Sequence, residues 1–147
     1  MPREISEDFY SNFTDLKKDK DQKIALLAWG RPGTGKTLLA GSFPKPYFLD
    51  LEDGLMTVFG SDIKANTITT DMPVLETCIN VIQDAKYKRG PFAPDGPFGD
   101  RETFVLDSLS MLSVRLFEEI MEEQKKDSRA AYGLLLKRMT TITSLLK

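Results

Sequence analysis

Eight consecutive residues, Gly30-Arg31-Pro32-Gly33-Thr34-Gly35-Lys36-Thr37, spell the pattern G-x-x-x-x-G-K-[ST], and their neighbours narrow the folds that can carry it. Before them runs Lys23-Ile24-Ala25-Leu26-Leu27-Ala28-Trp29, short, nearly all apolar and charged only at its start, which predicts a parallel strand buried on both faces. After them, Leu38-Leu39-Ala40-Gly41-Ser42-Phe43 predicts the opening of a helix. A strand handing over to a helix through a glycine-rich loop aims backbone N–H groups and the helix N-terminus at one anion. Residues 30–38, ending at Leu38, are therefore expected to cradle the phosphates of a nucleoside triphosphate. Glycine lets the backbone approach closely in unusual conformations. Lys36 is expected to reach the β- and γ-phosphates, and the Thr37 hydroxyl to hold Mg²⁺. The competing reading is a glycine-rich turn followed by a chance Lys-Thr, which the strand–loop–helix setting disfavours.

Composition excludes several chemistries. The 147 residues suffice for one domain with a real core. Lys and Arg total 20 against 22 Asp and Glu, a net charge of −2, so no global basic field points to nucleic acid and any such site must be local. Histidine is absent, which removes His-ligated metals and Ser-His or Cys-His catalysis. The single cysteine, Cys78, forms no internal disulfide, and its place on the apolar face of an expected helix reads as a core thiol. The N-terminus does not read as a signal peptide, and no apolar run approaches the ~18–20 residues of a membrane span. A soluble, cytoplasmic protein without membrane contact is expected.

Strand and helix patterns alternate after a polar preface. Residues 1–22 form an extension with Phe9, Phe13 and Leu16 at helical spacing and a charged run, Lys17-Lys18-Asp19-Lys20-Asp21, that reads as a solvated linker. The nucleotide-binding domain is expected to occupy 23–147. Tyr47-Phe48-Leu49-Asp50-Leu51-Glu52 predicts a second strand, entered through Pro44 and Pro46 and left through Asp53-Gly54. Asn66-Thr67-Ile68-Thr69-Thr70 predicts a weak third, and Leu75, Cys78, Ile79 and Ile82 mark an amphipathic helix over about 72–86. Residues 90–101 hold three glycines and three prolines, with Gly-Pro-Phe twice, and predict an irregular loop. Its phenylalanines can contact a partner or a base, but burial against the chain's own domain is the commoner outcome.

The second chemical signal is Thr103-Phe104-Val105-Leu106-Asp107-Ser108. A run of apolar β-formers ending in a carboxylate is the Walker B pattern, in which a buried strand delivers Asp107 to the rim beside the phosphate loop, where it completes the Mg²⁺ site begun by Thr37. Hydrolysis further requires a group that orients and deprotonates water. In AAA+-type ATPases a glutamate directly follows the Walker B Asp, whereas here the next residue is Ser108. Glu52 is the natural candidate base, because it ends another strand and parallel strands present their C-terminal ends on one rim. The alternative for Glu52 is an exposed turn carboxylate.

With these residues in view the chain resembles a family. Phe48-Leu49-Asp50-Leu51-Glu52-Asp53-Gly54-Leu55 looks like the RecA segment in which a strand ends in the catalytic glutamate, and Val105-Leu106-Asp107-Ser108-Leu109-Ser110 looks like the RecA Walker B strand. The arrangement is most similar to phage-encoded RecA-like ATPases, some of which act in single-strand-annealing recombination. The resemblance covers roughly 23–147. It implies an α/β, three-layer P-loop NTPase fold with a mostly parallel sheet, ATP and Mg²⁺ as ligands, Lys36 and Glu52 as catalytic residues, homo-oligomers, and single-stranded DNA as a partner whose site is not visible in this stretch. It also implies a neighbouring subunit's positive finger, for which Arg115, Arg129 and Arg138 are candidates, although surface solvation is their ordinary role.

The same resemblance predicts a gap. In this class the strand after Walker B lies between the phosphate-loop strand and the Walker B strand. Here Leu109, Leu112, Leu116 and Ile120 mark one helix and Tyr132, Leu135, Leu136, Met139, Ile142 and Leu146 a second, with a break at Asp127-Ser128-Arg129 and no strand-like run left over. The expectation is a core incomplete at its C-terminal side, as an N-terminal portion of a longer ATPase or a shortened relative. Either the first strand pairs directly with the Walker B strand or something else, a partner chain or the N-terminal segment folding back, fills the slot. Two other functions stay open: a non-catalytic nucleotide-binding module, and a small-molecule phosphotransferase, which usually carries an arginine-bearing lid.

Overall fold

The computed structural model describes residues 24–52, 62–124 and 128–146. Lys23, the extension with Phe9, Phe13 and Leu16, the charged run at 17–21, and the Asp53-Gly54 exit all lie outside the described residues. Within them the elements are α1 (Lys36–Gly41), β1 (Pro46–Asp50), β2 (Lys64–Thr67), α2 (Val74–Tyr87), a 3-10 turn (Gly90–Phe92), β3 (Thr103–Asp107), α3 (Leu109–Glu123) and α4 (Ser128–Leu145).

The three strands run parallel in the order β2-β1-β3. Tyr47, Phe48, Leu49 and Asp50 are all 2% exposed or less, so both faces of the central strand β1 are covered, because successive side chains of a strand point to opposite faces. This is the burial expected of a parallel sheet flanked by helices, and the fold is of the anticipated α/β class with a parallel sheet. β2 is an edge strand with every residue exposed. It runs two positions earlier than the predicted Asn66 and ends at Thr67, after which the N–H of the buried Ile68 still donates to the Asp50 carbonyl at 2.9 Å.

One face of the sheet meets the helices. Tyr47 and Leu49 of β1 pack in a single cluster with Cys78 and Ile82 of α2, Leu112 and Leu116 of α3, and Ile142 of α4. The predicted spacing on α3 is realised, since Leu112, Leu116 and Ile120 are fully buried. On α4 the buried positions are Ala131 and Ile142, with Leu135 and Met139 partly buried, whereas Tyr132 and Leu136 are exposed. Leu136 sits about 100° round the helix from Leu135, and the Tyr132 ring, at the margin of the core stripe, lies against Phe117, centroids 4.9 Å apart. Lys86, in the last turn of α2, donates to the Leu145 carbonyl at 3.2 Å and ties α4 to α2.

The loop after α2 folds onto its own domain. Phe92 is buried and meets Tyr47 edge-on at 4.7 Å, and Phe98 packs against both rings. Arg101, which the sequence did not single out, closes the loop from its buried position: its guanidinium donates to the Asp62 carbonyl at 2.9 Å and pairs with Asp100 at 2.8 Å. That pairing holds the Asp100 carboxyl below the usual carboxylate range.

The first predicted strand is the departure. Residues 24–29 form no ladder, and Ile24, Leu26, Leu27 and Trp29 are 89%, 65%, 73% and 95% exposed. The direct pairing of this segment with the Walker B strand is therefore not made. β3 pairs only with β1 among the described residues, so its other edge has no ladder partner there.

Candidate functional site

The Gly30–Thr37 sequence forms a compact turn leading into α1. Gly33 and Gly35 hold φ of 77° and 83°, a left-handed conformation in which a Cβ is strained, which accounts for glycine at both. Thr34 Oγ1 donates to the Arg31 carbonyl at 2.9 Å and braces the turn from inside. The Lys36 ammonium arches back over the loop and donates to the carbonyls of Gly30 and Arg31, each at 3.0 Å. Pro32, Thr34 and Leu38 are exposed, while Lys36 and Thr37 are half-buried.

Strand register brings the other residues to this loop. Asp50 and Asp107 are directly paired at the C-terminal ends of β1 and β3, so the residues just beyond the two strands emerge on one rim. Thr37 Oγ1 donates to Asp107 Oδ2 at 2.8 Å, joining α1 to β3. Beyond β1, the Leu51 N–H donates to the Asp107 carbonyl at 2.7 Å and the Glu52 N–H to Asp50 Oδ1 at 3.0 Å. The exposed Glu52 side chain then accepts a hydrogen bond from the hydroxyl of Ser108. Thr37 from α1, Asp107 and Ser108 from the end of β3, and Glu52 from just beyond β1 are thus linked by hydrogen bonds and chain adjacency, while Lys36, next to Thr37, bonds instead to the loop carbonyls.

A hydroxyl and a carboxylate at hydrogen-bond distance are hard oxygen donors of the kind Mg²⁺ accepts, and Mg²⁺ ordinarily takes only one or two protein ligands and fills its octahedron with water and phosphate. Among the described residues no group of three or more Cys, Asp or Glu is arranged to hold a metal by itself.

A family model described as an AAA domain matches residues 22–147, nearly the whole chain. The chain belongs to the AAA domain family. It is an ATPase-type, nucleotide-binding domain. No curated protein and no solved structure matches it.

Two residues of this AAA domain join the site without having been predicted to. Asp50 is 2% exposed and turns its carboxylate onto the backbone two residues ahead, the local habit of Asp in turns, and so anchors Glu52. Ser108 reaches Glu52 from the far strand, and the pairing of β1 with β3 that puts them together leaves no mark in either local sequence. The peptide between Asp107 and Ser108 is cis. Of the arginines considered as fingers, Arg115 donates to the Ile68 carbonyl and Arg138 pairs with Glu123 at 2.6 Å. Both are engaged within the chain, so neither is the freely solvated surface charge expected of it. Among the described residues of the AAA domain no helix is long and apolar enough to cross a membrane.

Proposed function

We propose that this domain binds ATP with Mg²⁺ and hydrolyses the β–γ bond by in-line attack of water. The observation that carries the reading is the 2.8 Å bond from Thr37 to Asp107, which ties the phosphate-loop side chains to the strand-end carboxylate that the chemistry requires beside them. Lys36, now occupied by two loop carbonyls, exchanges them for β- and γ-phosphate oxygens and stabilises charge that develops on the transferred phosphoryl group. Thr37 and Asp107 would hold Mg²⁺, which when bound neutralises charge on the phosphates. Glu52 accepts the proton of the attacking water, and ADP and inorganic phosphate leave.

The RecA-like assignment is the finer part of the proposal. It is supported by a glutamate two residues beyond the strand beside β3 while Ser108 follows Asp107, and it makes phage-type recombination or single-strand annealing the process served, with homo-oligomers and single-stranded DNA as partners. ATP binding and phosphate release, measured with and without single-stranded DNA, test both parts. Lys36→Ala is expected to lose nucleotide binding or turnover, and Glu52→Gln to keep binding and lose turnover by roughly a hundredfold or more. Unchanged affinity and turnover in Lys36→Ala would remove the loop from the function. Tight ATP binding without phosphate release in the unaltered protein would leave a non-catalytic nucleotide module, and phosphoryl transfer to a nucleoside or nucleotide would make it a phosphotransferase.

A further inference from the structure

We propose that Ser108 is a positioning residue that fixes the Glu52 carboxylate for water activation; the proposal rests on the assignment of Glu52 as the base. A serine hydroxyl carries one proton and two lone pairs. In Ser108 both capacities are used: the proton goes to Glu52 Oε1, and a lone pair accepts from the Met111 N–H at 3.2 Å, in the first turn of α3. The helix amide thereby orients the hydroxyl, and the hydroxyl orients the glutamate.

The rest of Glu52 is already held. Its N–H is tied to Asp50 Oδ1, and the preceding N–H, that of Leu51, is tied to the Asp107 carbonyl. What stays loose is an exposed side chain with three torsions, whose freedom costs free energy each time the carboxylate must meet the water. One bond to Oε1 removes most of that freedom and leaves Oε2 to take the proton. Because Ser108 adjoins Asp107, the same short segment carries the metal-side carboxylate and the hydroxyl that holds the base.

Helix capping alone also explains a serine here, and the choice of variants separates the two roles. Glycine at an N-cap costs little helix stability but donates nothing, threonine keeps both cap and donor, and alanine loses both. Ser108→Gly is expected to lower kcat roughly ten- to a hundredfold, with ATP affinity and KM within about twofold of the unaltered protein. Ser108→Thr should restore kcat, and Ser108→Ala should match glycine in kcat while melting at a lower temperature. In a Glu52→Gln background the glycine change should add no further loss, the non-additivity of groups acting as one unit. A readout independent of turnover is the carbon-13 resonance of the Glu52 carboxyl in nucleotide-free protein, which should move in Ser108→Gly and stay in place in Ser108→Thr.

Unaltered kcat in Ser108→Gly, with Glu52→Gln inactive, overturns the positioning role alone. Full turnover in Glu52→Gln overturns the assignment of the base and the positioning role with it. An unmoved carboxyl resonance in Ser108→Gly shows that the contact itself is absent.

Discussion

Thr37 Oγ1 and Asp107 Oδ2 stand 2.8 Å apart although 70 positions separate them in the chain. The bond binds a loop-borne helix to the end of a strand that otherwise pairs only with β1 among the described residues. It also sets two oxygen atoms side by side at the end of β3.

That pair is expected to set the Mg²⁺ requirement. In Asp107→Asn the carboxylate charge is gone while the hydrogen-bond acceptor stays, so the Mg²⁺ concentration needed for half-maximal nucleotide binding should rise at least about tenfold. Thr37→Val should act in the same direction through loss of the hydroxyl. Titrating Mg²⁺ against a fluorescent ATP analogue measures this, and an Asp107→Asn protein with the original Mg²⁺ requirement would take that residue out of the metal site.

Trp29 offers a direct probe of the segment that forms no ladder. It is the only tryptophan and is 95% exposed, immediately before the phosphate loop. Its emission should be that of an indole in water and should be readily quenched by acrylamide. Blue-shifted, poorly quenched emission would mean that residues 24–29 are covered in solution.

The aromatic loop is expected to stabilise rather than to bind. Phe92 is 3% exposed and lies edge-on to Tyr47. Truncation in Phe92→Ala removes a buried ring and leaves a cavity, at a cost of about 3–5 kcal/mol in urea unfolding. A loss below about 1 kcal/mol would show that the loop is not part of the core.

Alkaline pH should destabilise the fold through two buried acids. Burial pushes the Cys78 thiol from 9.0 up to about 12, with the positive charge of Arg115 opposing it, and burial pushes the Tyr47 phenol from 10.0 up to about 12. Each group ionises more readily once unfolded, so the unfolded chain holds fewer protons in this range and stability falls as pH rises. The contribution is intact below pH 9 and is lost progressively as pH climbs through about 12. Urea midpoints measured across that window should decline less steeply in a Cys78→Val, Tyr47→Phe double variant. At pH 8 the native thiol should resist alkylation and react only on unfolding.

How much of this was legible in the chain depended on the range of the physics involved. Gly33 and Gly35 announce themselves because left-handed φ is a local requirement, and Leu112, Leu116 and Ile120 because helical periodicity is local too. Asp107 was readable as the end of an apolar β run. Glu52 was readable only in part, since a strand-end carboxylate and an exposed turn look alike until the neighbouring strand is known.

Other features belong to the tertiary structure. Arg101 reaches across 39 positions to the Asp62 carbonyl, and Ser108 across 56 to Glu52, distances over which no periodicity operates. The apolar run at 24–29 shows the same limit from the other side: its sequence states a preference for burial, but a strand exists only when another strand accepts its hydrogen bonds. The glycine turn before α1, the strand that ends at Asp107 and the helical core faces are written in the local sequence, because each is encoded within a few turns or residues of chain. The structure alone decided which carboxylate meets which hydroxyl and whether an apolar segment finds a sheet, because those outcomes depend on register between strands that are distant in the sequence.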